Sequence, residues 1–216
     1  EAVSLALLAK FGVPAVKHVL CQTEEEAVTA FTQMKAAAVV VKGCTQDASH
    51  KSELGLVRLG VSDVAALRQA FKDMHAAAKS ASIQLTGIIV AEQVKGRREL
   101  MIGARVDPVF GPVVLVGDGG KYVEAMPDLQ VLMAPFSIED AEKALHSLRI
   151  APLLSGVRGE PPLDVKAFCQ SAVAVGHMMV DEKLGISQLD INPVMVGSLG
   201  QGCVSLDAVI YRKEDK

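Results

Sequence analysis

The chain has 216 residues, half of them hydrophobic, and its 22 Lys plus Arg face 25 Asp plus Glu for a formal charge of −3. That is enough chain for one large core or two small lobes, and without a basic patch or stripe no nucleic-acid partner is expected. No apolar run approaches the roughly 20 residues that span a bilayer, and no signal peptide opens the chain, so no membrane is expected. Cys21, Cys44, Cys169 and Cys203 are scattered without a CxxC pair. They read as reduced thiols of a cytoplasmic protein, not as a disulfide frame or zinc site. Glu1 falls inside a helix-like pattern, so a fragment of a longer polypeptide is expected. Aromatics make up 4%, too few to suggest stacking platforms for bases or sugars.

Leu5, Leu8 and Phe11 predict a helix over residues 1–11, stopped by Gly12 and Pro14. "AVKHVL" predicts a strand. Thr23 and Glu26 form a capping box before a helix through Ala27, Phe31 and Met34. "AAAVVVKG" predicts a buried strand ending at Lys42, and "LGLVRLGV" another strand. Ser62 or Asp63 caps a helix with Leu67, Phe71, Met74 and Ala78 on one face. "LTGIIVAEQV", "ELMIGARVD" and "GPVVLVG" predict three strands, followed by a turn at Gly117, Gly119 and Gly120. Ser137 caps a helix through Ile138, Ala141 and Leu145. "GVRGEPP" is a loop. Residues 163–181 predict an amphipathic helix with Val165, Phe168, Ala172, Val175 and Met179 inward. "ISQLDINPVMV" and "CVSLDAVIY" are strands around "GSLGQG". Hairpin-like succession without strict βα alternation predicts an α+β fold in two lobes, with the change near residues 92–97.

Several residues carry chemistry on two readings. Lys42, at a strand's mouth before a Gly, either snorkels to solvent or reaches a phosphate. The run His50-Lys51-Ser52-Glu53-Leu54-Gly55 is either a turn or an anion-binding loop; it is not a P-loop. With the last turn centred between Leu199 and Gly200, antiparallel register places Asn192 opposite Asp207, with Asp190 on the same face as Asn192. Such oxygens suit Mg²⁺. The plain alternative is a solvated face, with Ile191, Val204 and Leu206 turned to the other side. Glu92 and Glu99 flank the lobe change, either as surface acids or as holders of a nucleotide's adenine and ribose.

Taken together, "VVVKGCTQDASHKSELGLVRLG", "AEQVKGRRELMIG", "DPVFGPVVLVGDGGKYVE", "LLSGVRGEPPLD" and "QLDINPVMV…SLDAVI" stand in an order that resembles one family. It is the ATP-grasp domain of the NDP-forming acyl-CoA synthetases, the ADP-forming acetate–CoA ligases related to the succinyl-CoA synthetase β chain. The resemblance implies an α+β ATP-grasp fold clasping ATP or ADP with Mg²⁺. One lobe would span residues 17–93, the other 1–16 and 94–216. Lys42 would contact the phosphates. Glu92 would lie at the adenine hinge, with Val94 offering backbone, and Glu99 would contact the ribose. Asn192 and Asp207 would hold Mg²⁺. Lys51, Ser52 and Gly55 would belong to the phosphate-side loop, and His50 would relay a phosphoryl group. The acid and CoA would bind a partner domain or subunit carrying the CoA site and the main phosphohistidine.

The chain departs from the family pattern twice. Leu56 replaces the second Gly of "DVGG", which predicts a stiffer or differently shaped loop. Leu132 replaces an Arg before "LAPL", which predicts weaker phosphate chemistry. Both leave room for a rival reading, a degenerate nucleotide-sensing or structural module such as one fused to a protein acetyltransferase.

Overall fold

The computed structural model describes residues 1–45, 54–121, 123 and 125–213. They form two compact units: Ala2 with Val16–Val94, and Glu1 and Val3–Ala15 with the chain from Lys95 onward. The opening helix α1 (Ala2–Lys10) buries Leu5 and Leu8 fully. Phe11, expected on that buried stripe, is instead the C-cap residue and 39% exposed. The helix stops one residue early, so Phe11 leaves the helical spiral.

The Val16–Val94 unit is a four-stranded antiparallel sheet of β1 (His18–Cys21), β2 (Val39–Cys44), β3 (Val57–Val61) and β4 (Gly87–Glu92), in the order β1-β4-β2-β3. Two helices, α2 (Glu24–Met34) and α3 (Val64–Ser80), supply its core. Val39 and Val41 of β2 and Ile88 and Val90 of β4 alternate onto one face. There they join Ala27 and Ala30 of α2 and Leu67, Phe71 and Met74 of α3, spaced at the helical period. The Thr23 hydroxyl accepts the Glu26 N–H at 3.2 Å, but the Glu26 carboxylate takes the N–H of Gln22. Half of the expected capping box therefore forms. Asp63, not Ser62, caps α3 by accepting the Ala66 N–H at 2.8 Å.

The second unit holds β5 (Arg98–Asp107), β6 (Gly111–Asp118), β7 (Leu129–Met133), β8 (Ile186–Val196), β9 (Cys203–Ser205) and β10 (Val209–Arg212). Its sheet runs β10-β8-β5-β6-β7, with β9 also paired to β8, and every pair is antiparallel. After β7 come α4 (Ile138–His146), the short α5 (Ala151–Leu154) and α6 (Val165–Val180), then a 3₁₀ turn over Glu182–Leu184. Leu100, Ile102, Val114 and Val116 of the sheet are fully buried, as are Phe168, Ala172 and Val175 of α6, which packs on β5, β6 and β8. Each of these side chains larger than alanine contributes roughly 1.5–3 kcal/mol by leaving water. Ser137 and Asp140 complete the capping box that starts α4.

The α+β class expected from the sequence is what the chain adopts. The edge strand β7 and α5 were not expected, and "CVSLDAVIY" breaks into β9 and β10. All four cysteines are free and buried. Burial pushes the Cys21 thiol up to about 11 and the Cys169 thiol up to about 12.

Candidate active site

The hairpin register decides where the polar residues of the second unit fall. β8 pairs with β9 as Val194↔Ser205, Met195↔Val204 and Val196↔Cys203. It pairs with β10 as Asp190↔Val209 and Leu189↔Ile210. Across the intervening break, the Leu206 N–H donates to the Pro193 carbonyl at 3.0 Å. The same register thus holds on both sides, and Asn192 and Asp207 occupy the position between, as read from the sequence.

The burial pattern corrects one expectation. Cys203 and Ser205 are buried, whereas Val204 and Leu206 are only half-buried. Against β5, β8 shifts register between Leu100↔Val194 and Ile102↔Ile191. This bulge lets Ile191 and Val194 share the buried face although an odd number of steps separates them. Asp190 and Asn192, on either side of buried Ile191, are both half-buried.

The turn after β6 lies against this hairpin. The Gly120 N–H donates to Asn192 Oδ1 at 2.8 Å, and the Gly119 N–H donates to the Glu99 carbonyl at 3.1 Å. Gly119 leaves no room for a side chain, since a Cβ there would come within 2.5 Å of the Leu100 carbonyl. Gly120 has φ +78°, and a Cβ on it would lie 2.0 Å from Glu99 Oε2. Arg98 grips the Asp118 carboxylate with Nη2 at 2.6 Å from both oxygens, fixing the root of the turn. Glu99, Gly120 and Asn192 are therefore brought together, and Asp207 stands in register with Asn192. The sequence reading took the glycines only as a turn and missed Gly120 as a donor; the signal available was the doubled glycine of "GDGG" at a strand end.

Burial, and then the negative charge of Asp207, push the Asp190 carboxyl up from its ordinary value. Two carboxylates press on each other beside an amide oxygen, an arrangement a divalent cation relieves. Among the described residues, no three His, Cys, Asp or Glu side chains converge on a metal-sized site. The donor set is two carboxylates and an amide, all oxygen, the ligand type of Mg²⁺, an ion that also keeps water and phosphate oxygens as ligands.

The other unit carries the remaining described candidates. β2 continues two residues beyond Lys42, because Gly43 and Cys44 still pair with Ile88 and Gly87 of β4. Lys42 is thus within the strand, not at its end, and is only 9% exposed. Its register partners are Ile89 on β4 and Val57 on β3. It therefore projects from the face opposite Val39 and Val41, away from the helices. Glu92 ends β4 opposite Val39 and is exposed. By the same alternation, Glu92 and Lys42 point to opposite faces. After Glu92 the chain leaves the sheet, and no described residue bonds the Val94 N–H or C=O. Gly55, at φ +70°, precedes β3. His50, Lys51 and Ser52 lie outside the described residues.

The two departures from the family pattern have structural accounts. Leu56 does not have positive φ. It is fully buried in the unit's core, and its carbonyl accepts the Gly43 N–H at 2.8 Å. Its side chain crowds Gly43, where a Cβ would come within 3.3 Å. The leucine is a core residue, not a strained loop residue. Leu132 pairs with Val114, on the buried face of the sheet. Asp190 lies in the row Asp190–Gly103–Leu115–Val131 on the other face. An arginine at 132 would start from the face opposite Asp190.

A family model described as the ATP-grasp domain matches residues 1–211. The chain belongs to the ATP-grasp family. It is 35% identical over 206 residues to a 4-hydroxybutyrate–CoA ligase (ADP-forming) of Nitrosopumilus maritimus, covering 94% of this chain and 29% of that protein. It is 30% identical over 209 residues to the β subunit of acetate–CoA ligase (ADP-forming) II of Pyrococcus furiosus, covering 96% of this chain and 88% of that subunit. The chain thus spans under a third of a fused ligase and most of a separate β subunit. Among solved structures, the dinucleotide forming acetyl-coenzyme A synthetase 1 of Ca. Korarchaeum cryptofilum superposes with TM-score 0.89 at 31% identity. That match covers 96% of this ATP-grasp chain and 90% of the other. A second state of that synthetase, TM-score 0.83 and 29% identity over 99% and 92% of the chains, holds coenzyme A and Mg-AMPPCP. In it a phosphohistidine segment points towards the nucleotide binding site.

Proposed function

We propose that this ATP-grasp domain is the nucleotide-binding and phosphoryl-transferring part of an ADP-forming acyl-CoA ligase. The whole reaction converts acid, CoA and ATP into acyl-CoA, ADP and phosphate, reversibly. The observation that carries this reading is the rim of Glu99, Gly120 and Asn192 with Asp207 in register beside it. The relatives' names and the Mg-AMPPCP of the Korarchaeum structure support it. Residues 17–93 form one lobe of the domain, and 1–16 with 94–216 the other.

The Lys42 ammonium, largely withdrawn from water, neutralises phosphate charge where the low dielectric strengthens the attraction. The Val94 backbone offers its N–H and C=O to the purine edge, and Glu92 enters by its backbone place at the hinge, its side chain leaving β4 on the face opposite Lys42. The Glu99 carboxylate accepts from the ribose hydroxyls. Asn192 and Asp207 hold Mg²⁺, with Asp190 adding negative charge behind them. When bound, the cation neutralises the charge that spreads over the transferring phosphoryl oxygens. Gly55, Lys51 and Ser52 cradle the phosphates, and His50 accepts the phosphoryl group or passes it on. The partner is a domain or subunit that carries the CoA site and a phosphohistidine segment and binds the small organic acid. Among the described residues, no helix is long and apolar enough to cross a membrane, and the four buried free thiols support a cytoplasmic setting.

The test is acyl-CoA formation by the full-length protein with its partner. Lys42→Ala is expected to lower kcat/KM by on the order of 10²-fold or more, the scale of losing one charge-stabilising group. Parent-like turnover by that variant would overturn the role of Lys42.

A further inference from the structure

The "RGEPPLD" string has no part in the chemistry above, yet it is tied twice to the turn end of the metal-side hairpin. Through Arg97 it meets the last residue of β8: Arg97 Nη2 contacts Glu160 Oε2 at 2.5 Å, and Arg97 Nη1 donates to the Pro161 carbonyl. The Arg97 N–H donates to the Val196 carbonyl at 3.0 Å. Directly, the segment runs along the β8–β9 turn like a partial strand. Leu163 bridges Ser198, and the Leu199 N–H donates to the Pro162 carbonyl at 2.9 Å. The Asp164 N–H donates to the Gly197 carbonyl at 3.0 Å. The Asp164 carboxylate is buried. Its Oδ2 accepts the N–H groups of Gly200 and Gly202, both at 2.9 Å, while Oδ1 accepts the Ala167 N–H at 3.3 Å and caps α6.

β9 has three paired residues and the turn before it is glycine-rich, so the hairpin alone specifies its register weakly. A slip of one residue would take Asp207 away from Asn192. A single carboxylate oxygen that captures two defined N–H groups of the turn fixes which residues form it.

We propose that Asp164 is a positioning residue: it locks the 197–202 turn onto the start of α6 and so holds Asp207 in register with Asn192. Arg97 anchors the same segment two residues from Glu99. This inference rests on the nucleotide–Mg²⁺ reading.

The test is calorimetric titration of the full-length protein with ADP, in Mg²⁺ and in EDTA. The Asp164→Ala variant loses two charge-assisted turn bonds. Its affinity for MgADP is expected to fall about tenfold or more, with metal-free ADP within about twofold of the parent. In an Asp207→Asn background the same change adds no further loss. An equal loss for both forms of ADP, or none for either, overturns the proposal. Should Asp164→Ala fail to fold, Asp164→Asn keeps one acceptor oxygen and decides the matter: a loss confined to MgADP supports positioning, and an unselective one overturns it. A parent protein with no Mg²⁺ dependence defeats the underlying metal reading, and the positioning role with it.

Discussion

Gly120→Ala is expected to leave a folded protein that has lost most of its nucleotide affinity. The backbone at φ +78° disfavours any Cβ, at a cost of about 1–2 kcal/mol. In a domain of this size that lowers Tm by only a few degrees. The new methyl group would overlap Glu99 Oε2, at 2.0 Å, while keeping 3.2 Å from Glu99 Cδ. The colliding atom is the end of a flexible side chain, so the carboxylate moves and the fold stays. What is lost is the carboxylate's place beside Asn192, and with it the proposed ribose contact. A fall in ADP affinity on the order of tenfold or more is expected, since a hydrogen bond to a charged group is worth about 1.5–3 kcal/mol. Gly117→Ala is the contrasting control. Its Cβ would lie 2.2 Å from the Asp128 carbonyl, so it should damage folding itself. Calorimetry and thermal melts of the two variants separate the cases. Unchanged ADP affinity in a folded Gly120→Ala protein would remove Glu99 from the nucleotide site.

The prediction with the largest kinetic effect concerns His50. A neutral imidazole nitrogen can attack phosphorus. A new N–P bond forms as the bond to the ADP oxygen breaks, and ADP leaves with the electron pair. Asparagine keeps a comparable polar size without a nucleophile. With its partner present, the His50→Asn protein is expected to lose acyl-CoA formation by about 10³-fold or more, the scale of removing a nucleophile. ADP affinity should stay within about twofold of the parent, because binding does not use that nitrogen. Parent-like turnover would mean that the loop only cradles the phosphates.

Much of this site was legible from local rules. The Asn192–Asp207 register followed from the position of the turn and the period of two, and it survives the break between β9 and β10. The burial of Cys203 and Ser205 was not legible, because the β8 bulge depends on pairing with β5, a strand more than 80 residues away in sequence. Lys42 was placed at a strand end since Gly43 reads as a stop. Only the pairing of β2 with β4 shows that the strand continues. Leu56 was read, by comparison with a glycine, as making the loop stiffer or differently shaped, and most of that loop lies outside the described residues. Its filling of the core against Gly43 is a tertiary contact that no window of sequence displays. The edge strand β7 was missed because its outer residues Val131 and Met133 stay exposed, so the alternation there does not separate apolar from polar.

The most direct measurement is the Mg²⁺ dependence of ADP binding by the full-length protein and by its Asp207→Asn variant. The parent is expected to bind ADP about tenfold or more tightly in Mg²⁺ than in EDTA, the worth of one charge-assisted metal bridge to phosphate. Asp207→Asn is expected to erase that difference while leaving metal-free ADP binding in place. Equal affinity with and without Mg²⁺ in the parent, or a Mg²⁺ effect that persists undiminished in Asp207→Asn, would contradict the assignment of Asn192 and Asp207 as the metal side of a phosphoryl-transfer site.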